Sequence, residues 1–310
     1  MTAIDFIIPL FNEREGLLRF HSQLRGIALP PEYVAKYIYV NDGSVDGTQE
    51  ILEQLALQHA NVTVIELSRN FGQQAALSAG LDAATGDVVI LMDGDGQHPP
   101  ELVPDMLKLH AGGCDIVQAL RIDRKESAGV IKRLSSRYFY RLLAIVGEVE
   151  IAQGSSDFRL LSRRAVDALR RLPEYHRFIR GMVAWIGFPS AVLPYEPAAR
   201  IQGETKYSLR KMLQLAGDGL FSFSLVPLRI GLMLGAGFIL AAFAEIAYVA
   251  TLFLSDRRDR LVPGWSSLIV IITVSSALNM ILIGILGIYV GMIFREVKRR
   301  PIYLVRSKTQ

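Results

Sequence analysis

The sequence predicts an α/β domain, its sheet wound with crossover helices, attached to two membrane-spanning helices. Three observations carry that expectation. Four apolar runs in succession each end in a polar turn and lead into an amphipathic segment, the pattern of strand, turn and crossover helix. The fourth run, Val88-Val89-Ile90-Leu91-Met92, stops abruptly at Asp93-Gly94-Asp95-Gly96, two carboxylates separated by one glycine. Beyond about Pro227 the composition changes: Ile230 to Leu254 has Glu245 as its only charged residue, and Trp265 to Phe294 has none. Each of these runs exceeds the ~20 residues needed to cross a bilayer.

Taken in order, Ile4 to Leu10 reads as the first strand, ending in Pro9-Leu10-Phe11-Asn12-Glu13 ahead of a helix that carries Leu17, Leu18 and Phe20. Tyr37 to Val40 reads as the second. Asn41-Asp42-Gly43-Ser44-Val45-Asp46-Gly47-Thr48 follows it, then a helix with Ile51, Leu52, Leu55 and Leu57 on its apolar side. Val62 to Leu67 is the third, ending in Ser68-Arg69-Asn70-Phe71-Gly72 before a helix from Gln73 to Ala84. After the fourth strand, Pro99-Pro100-Glu101 marks the first turn of another helix. A fifth strand spans Asp115 to Leu120 and ends at Arg121.

In such sheets ligands bind beyond the carboxyl ends of the strands, where every one of these polar turns lies. Residues i and i+2 of an extended segment point the same way, so Asp93 and Asp95 can converge on one point. Two carboxylates there suit a hard divalent cation that also binds phosphate oxygens. Asp46 is accounted for by turn chemistry and helix capping. His98 and His110 show no partner pattern that suggests a ligand role. No Gly-x-Gly-x-x-Gly follows the first strand and no Walker A pattern is present, so neither phosphate fingerprint applies.

The segment after Arg121 is basic: Arg124, Lys125, Lys132, Arg133 and Arg137 are interleaved with Tyr138, Phe139, Tyr140, Leu142 and Leu143. That mixture predicts an amphipathic helix at headgroup level over about 127–146. Gln153-Gly154-Ser155-Ser156 places Asp157 in a Gly/Ser turn ahead of Phe158-Arg159-Leu160-Leu161. Helices are expected over Arg163 to Leu172 and around Arg177 to Trp185. Ala199 to Ser208 is a polar loop that offers Arg200 and Lys206 to a polyanion, and Ser208 to Phe223 reads as a second interfacial helix. The expected organisation is a cytoplasmic domain over 1–206, a juxtamembrane helix over 207–226, two spans within 227–294 and a cytoplasmic tail over 295–310.

The net charge of +4 in 310 residues points to a membrane-facing protein rather than a nucleic-acid binder. One cysteine, Cys114, excludes an intrachain disulfide and fits a reducing compartment. The amino terminus lacks the basic start and apolar core of a signal peptide, so the soluble part is expected on the cytoplasmic side. Two spans bring both ends to that side. Arg295, Lys298, Arg299 and Arg300 agree with the positive-inside rule, whereas Arg257, Arg258 and Arg260 between the spans count against it. Gly231-x-x-x-Gly235 and Gly287-x-x-x-Gly291 permit close helix packing.

With these pieces in place the chain resembles a family-2 glycosyltransferase of the polyprenyl-phosphate branch. Relatives of that kind include dolichol-phosphate mannose synthases and the bacterial enzymes that load glucose or aminoarabinose onto undecaprenyl phosphate. The matching pieces are Pro9 to Glu13, Asn41-Asp42-Gly43-Ser44, Arg69-Asn70-Phe71-Gly72, Met92-Asp93-Gly94-Asp95, Gly154 to Arg159 and Arg200 to Lys206. They run in family order and are followed by two spans, as in the bacterial branch. The family usually has alanine between the acidic pair and leucine after it, where this chain has Gly94 and Gly96.

What the resemblance implies is a GT-A type, Rossmann-like mixed sheet and an inverting, metal-dependent transfer of one hexose to undecaprenyl phosphate. The expected place is the cytoplasmic face of the bacterial inner membrane, in a multi-pass protein that forms a homo-oligomer. Glucose from UDP-glucose is the donor expected first, with GDP-mannose or a UDP-aminosugar as the alternatives. By resemblance, Pro9, Phe11, Glu13, Asp42, Asn70 and Asp93 line the nucleotide-sugar pocket, with Asp42 on the base and Glu13 on the ribose. Asp95, Gln97 and Asp93 hold Mg²⁺ or Mn²⁺ with the diphosphate. Arg121, Arg133, Arg200 and Lys206 meet the lipid phosphate, and Asp157, Asp95, Arg200 and Lys206 form the catalytic set. Asp157 is either a general base or an orienting group, because a phosphate monoester with a second pKa of about 6 is already a competent nucleophile at neutral pH. Two other classes compete. A processive polysaccharide synthase would carry a Gln-x-x-Arg-Trp motif and more spans, and neither is present. A catalytically silent nucleotide-binding subunit or scaffold is supported only by Gly94 and Gly96.

Overall fold

The structure is a computed structural model that describes residues 1–122, 155–175, 177–196, scattered positions between 231 and 254, and 264–309. The interfacial helices expected over 127–146 and 207–226, and Arg133, Arg200, Lys206 and Glu245, lie outside the described residues. The chain forms two compact units, Met1–Gly219 with Arg300–Gln310, and Leu220–Arg299.

In the first unit, β1 (Thr2–Leu10), β2 (Tyr33–Asn41), β3 (Val62–Leu67) and β4 (Val88–Leu91) form a parallel set. Helices α1 (Leu17–Arg25), α2 (Thr48–Gln58) and α3 (Gln73–Ala83) cross between them, as the alternation of apolar run and amphipathic segment predicts. A single 3₁₀ turn, Pro100–Leu102, opens into α4 (Val103–Ala111), which returns to β5 (Ile116–Arg121). Then come β6 (Ser155–Ser162), α5 (Arg163–Arg170), α6 (Ile179–Trp185) and β7 (Ser190–Tyr195). The sheet order is β7-β5-β6-β4-β1-β2-β3-β8. β6 is antiparallel to both β4 and β5, so the sheet is mixed, as expected.

Both faces of the sheet are covered, which is why the strands are apolar on both sides. Alternate residues of β1 divide between them. Ile4, Phe6 and Ile8 join Leu17 and Phe20 of α1, Leu52 of α2 and Met106 of α4 on one face. Ile7 joins Leu77 of α3, Val166 of α5 and Met182 of α6 on the other. Leu18 and Leu57, expected on apolar helix faces, are exposed instead.

Two expectations fail in the first unit. Asp157 is not in a turn: it is the third residue of β6, where pairing with β4 and β5 overrides the Gly/Ser signal. Nor is 295–310 a simple tail. Val305–Thr309 forms β8, antiparallel to β3 at the sheet edge. Ser68 N–H donates to the Leu304 carbonyl, Arg306 pairs with Glu66, and the Tyr303 hydroxyl donates to Asp82 at 2.8 Å.

In the second unit, α7 (Trp265–Lys298) runs four residues beyond the expected span end at Phe294. It contains, among the described residues, the one helix long and apolar enough to cross a membrane, Val274–Lys298. The described positions between 231 and 254 are all helical. Gly231 packs tightly on α7: a β-carbon there would lie 2.3 Å from Leu282 Cδ2. Gly235, Gly287 and Gly291 have nothing within 4 Å of such a β-carbon, so close packing is seen at only one of these four glycines.

Candidate active site

Three loops at the carboxyl ends of β1, β2 and β3 interlock. Asn12 N–H donates to Ser44 Oγ and Val45 N–H to Asn12 Oδ1, both at 2.9 Å. Glu13 N–H donates to Thr48 Oγ1 and Arg14 N–H to Asp46 Oδ2, which ties the first loop to the second. Asp46 Oδ1 accepts from Thr48 N–H at 3.1 Å, the capping role its place in the turn predicts, and from the Thr48 hydroxyl at 2.6 Å. Asp42 draws in the third loop: its carboxylate accepts from Phe71 N–H at 2.7 Å and from Gly72 N–H at 2.9 Å. Burial pushes the Asp42 carboxyl up despite those two bonds. The Arg69 guanidinium lies 4.1 Å above the Phe71 ring and donates to the Asn70 carbonyl. Phe11, Glu13, Asp42 and Asn70 thus lie on three turns of which the second is bonded to both others, Pro9 stands at the end of β1 just before the first, and Phe11 is exposed.

The acidic turn follows β4. Asp93 N–H donates to His98 Nδ1 at 2.9 Å, so neutral His98 carries its proton on Nε2, which faces Asp93 Oδ2 at 3.6 Å. Buried His98 stacks on Phe158 at 5.1 Å. Asp95 Oδ1 accepts from Gln97 N–H at 3.0 Å, and Arg121 Nη1 donates to the Gln97 side-chain oxygen Oε1 at 3.5 Å. The two glycines that depart from the family pattern have local causes. A β-carbon on Gly94 would lie 2.3 Å from Leu10 Cδ2, so Leu10 fills the space an alanine would take. Gly96 has φ +75°, a conformation that leucine adopts only with strain.

Beyond β4 the arrangement changes from turns to ion pairs. Asp157 is bound at both oxygens by Arg180 of α6, Nε to Oδ1 at 2.8 Å and Nη2 to Oδ2 at 2.9 Å. Fully buried Arg159 approaches Oδ1 at 3.5 Å and donates to the Ser156 carbonyl at 2.8 Å. Gln73, the first residue of α3, donates from one amide nitrogen to Asp93 Oδ1 at 2.7 Å and to Asp157 Oδ2 at 3.3 Å. Burial works against the Asp157 carboxylate, but Arg180 and then Arg159 outweigh it and hold the carboxyl below its ordinary range. Asp93 goes the other way: burial raises it, His98 and Arg180 pull against that, and Asp157 and Asp95 add repulsion.

The residues present fit a divalent cation. Asp93 and Asp95 are hard oxygen donors of the class that divalent cations take. Among the described residues no three His, Cys, Asp or Glu side chains form a closed cage.

Of the expected site residues, the structure places Pro9, Phe11, Glu13, Asp42, Asn70, Asp93, Asp95, Gln97, Arg121 and Asp157 at or beside the carboxyl ends of the parallel strands. Arg133, Arg200 and Lys206 are outside the described residues. Gln73, His98 and Arg180 were not expected from the sequence. Only His98 left any local signal, five positions after Asp93 in the same turn.

The model of the family described as "Glycosyl transferase family 2" matches residues 5–170. A prophage bactoprenol glucosyl transferase homolog of Escherichia coli is 36% identical, covering 98% of each chain. The bactoprenol glucosyl transferase of Shigella phage SfV is 35% identical, covering 99% of each. An uncharacterized glycosyltransferase of Bacillus subtilis, YkcC, is 36% identical over 98% of this chain and 93% of its own. Among solved structures, a mannosyltransferase of Pyrobaculum calidifontis in complex with GDP-Man and Mn²⁺ is 15% identical, with a TM-score of 0.45, covering 93% of this chain and 86% of that one.

Proposed function

The chain belongs to glycosyl transferase family 2, and on that premise we propose that it transfers glucose from UDP-glucose to undecaprenyl phosphate at the cytoplasmic face of a membrane. The observation that carries this reading is the match to the phage bactoprenol glucosyl transferase, which spans 99% of both chains and so includes the apolar part as well as the sheet.

In this reading the turns after β1, β2 and β3 take the nucleoside, with Asp42 toward the base and Glu13 toward the ribose. Asp95, with Asp93 and Gln97, would hold Mg²⁺ or Mn²⁺, which when bound would supply positive charge for the departing nucleoside diphosphate. An acceptor phosphate oxygen forms a bond to the anomeric carbon as the bond to the diphosphate breaks, and the electron pair departs with the nucleoside diphosphate. The configuration inverts, and no proton need move, because the attacking monoester is largely dianionic. His98 and Gln73 keep Asp93 in place, and Arg121 stands at the acceptor side beside Gln97.

Two spans rather than one are supported by chain connectivity. β8 follows α7 yet pairs with β3 of the first unit. A single crossing by α7 would leave β3 and β8 on opposite sides of a bilayer. An even number of crossings is required, which favours a second span within Ile230 to Leu254.

The test is to incubate the purified full-length protein with Mg²⁺, undecaprenyl phosphate and separately labelled UDP-glucose, UDP-aminosugars and GDP-mannose, then to extract the lipid. Label from UDP-glucose in a single-sugar lipid is the expected result. Nucleotide binding with no lipid-linked sugar from any donor would favour the silent subunit, and a polymer would favour a processive synthase.

A further inference from the structure

β8 meets β3 just before the turn that β3 leads into, and the pairing there is irregular. Glu66 is opposite Ser307 and Leu67 is opposite Val305, which leaves Arg306 as an extra residue with no partner on β3. A bulge of this kind re-aims the side chain of the extra residue. Arg306 spans the irregularity: Nη1 donates to Glu66 Oε1 at 2.8 Å and Nη2 to the Ser68 carbonyl at 3.1 Å. Ser68 N–H donates to the Leu304 carbonyl at 2.8 Å, so the C-terminal segment holds both backbone polar groups of Ser68. The other Glu66 oxygen accepts from Ser307 Oγ at 3.0 Å. Tyr303 adds a bond to Asp82 of α3, the helix that follows the same turn.

Ser68 opens the turn that carries Asn70, Phe71 and Gly72. That turn is confined from the β2 side as well. A β-carbon on Gly43, whose φ is +69°, would lie 2.5 Å from the Arg69 carbonyl carbon and 2.6 Å from the Asn70 nitrogen. The second and third turns therefore touch backbone to backbone, with no flexible side chain between them to absorb a displacement. Only in that register do Phe71 N–H and Gly72 N–H reach the two oxygens of Asp42, at 2.7 and 2.9 Å. Gly43 limits the approach of the third turn to the second, and the grip on Ser68 fixes where the third turn begins.

From these contacts we infer that Arg306 is a positioning residue for the nucleoside diphosphate: through Ser68 it holds the Arg69–Gly72 turn against Asp42. The inference rests on the placement of the nucleotide proposed above. It makes the chain beyond α7 part of the construction of the donor site. The Arg306 side chain is 62% accessible, and exposed ion pairs contribute little to global stability. Replacing Arg306 should therefore act on the turn and leave the fold intact.

The test compares Arg306→Ala, Arg306→Lys and Ser307→Ala in the full-length protein. Ser307→Ala is the control, because Ser307 bonds the same Glu66 and makes no bond to Ser68. Hydrogen exchange is followed at Ser68, Phe71 and Gly72, with UDP binding in Mg²⁺, the acceptor KM and a thermal melt alongside. Arg306→Ala is expected to speed exchange at the three amides about 5-fold and to weaken UDP about 3- to 10-fold. The acceptor KM should stay within about twofold, and the thermal midpoint within about 3 °C. Arg306→Lys, with one ammonium for two acceptors, should recover only part of the loss, and Ser307→Ala should behave as the wild type. Unchanged exchange in Arg306→Ala, faster exchange with UDP affinity intact, or an equal effect of Ser307→Ala would each overturn the inference. A wild-type protein that binds UDP but transfers no sugar would defeat the proposed transfer and leave the inference to stand or fall on these same comparisons.

Discussion

The two flanks of the acidic turn are built on different principles. On the side proposed to take the nucleotide, consecutive turns after β1, β2 and β3 are laced by short backbone and side-chain bonds, such as those from Phe71 and Gly72 to Asp42. On the other side, Asp157 of β6, Arg180 of α6 and Gln73 of α3 come from distant parts of the chain and meet through an ion pair and an amide hydrogen bond. A donor nucleotide with a defined shape is suited to preformed turns. The difference can be probed from the largest expected effect to the smallest.

Asp95→Ala removes an oxygen donor from the turn where the flanks join, and turnover should fall by about 10³-fold. Lipid-phosphate binding should persist, and full loss of both activities together would show that the flanks are not separable. Acid should distinguish the flanks next. Buried His21 bonds the Tyr39 hydroxyl at 2.7 Å beneath the nucleotide side, where burial, then His59 and Arg25, lower its pKa to about 4. The folded state thus resists a proton that the unfolded chain accepts below about pH 6.5. Stability should fall between pH 6.5 and 4 by up to about 3 kcal/mol, then level off. Asp157, with its carboxyl lowered in the folded state, loses its contribution only as the pH drops below the ordinary carboxylate range. Denaturant midpoints at pH 7 and pH 5 should converge in His21→Gln; a wild-type midpoint that does not move would remove His21 from the account.

Asp42→Ala should cost roughly 2–3 kcal/mol of stability, because Phe71 and Gly72 lose a charged acceptor. Donor KM should rise while acceptor KM stays. Smallest is Gly94→Ala, where the new methyl meets Leu10 and costs about 1–2 kcal/mol. Leu10→Val in the same protein should recover part of that loss in a thermal melt. Additive losses would mean that Leu10 is not what excludes alanine.

The same contrast explains what the sequence reveals. The parallel strands and their turns are legible because each strand, turn and helix is contiguous, so Asp42, Asp93 and Asp95 could be placed from local pattern alone. β6 and β8 are not, since each inserts antiparallel beside a strand far away in sequence. Ser155 and Ser156 look like turn residues until β4 and β5 recruit them. Arg180 reads as one basic residue on a helix, and only the return of β6 gives it Asp157. Gln73 looks like an ordinary first-turn residue of α3, because the carboxylates it joins belong to two other strands.

The central claim is that sugar passes from a nucleotide held by these turns to a lipid's phosphate. The direct measurement is organic extraction of label from UDP-glucose after incubation with undecaprenyl phosphate or with undecaprenol, for the wild type and Asp95→Ala. Label should enter the lipid phase only with the phosphate and only with Asp95 intact. Equal labelling of the alcohol, or undiminished labelling by Asp95→Ala, would contradict it.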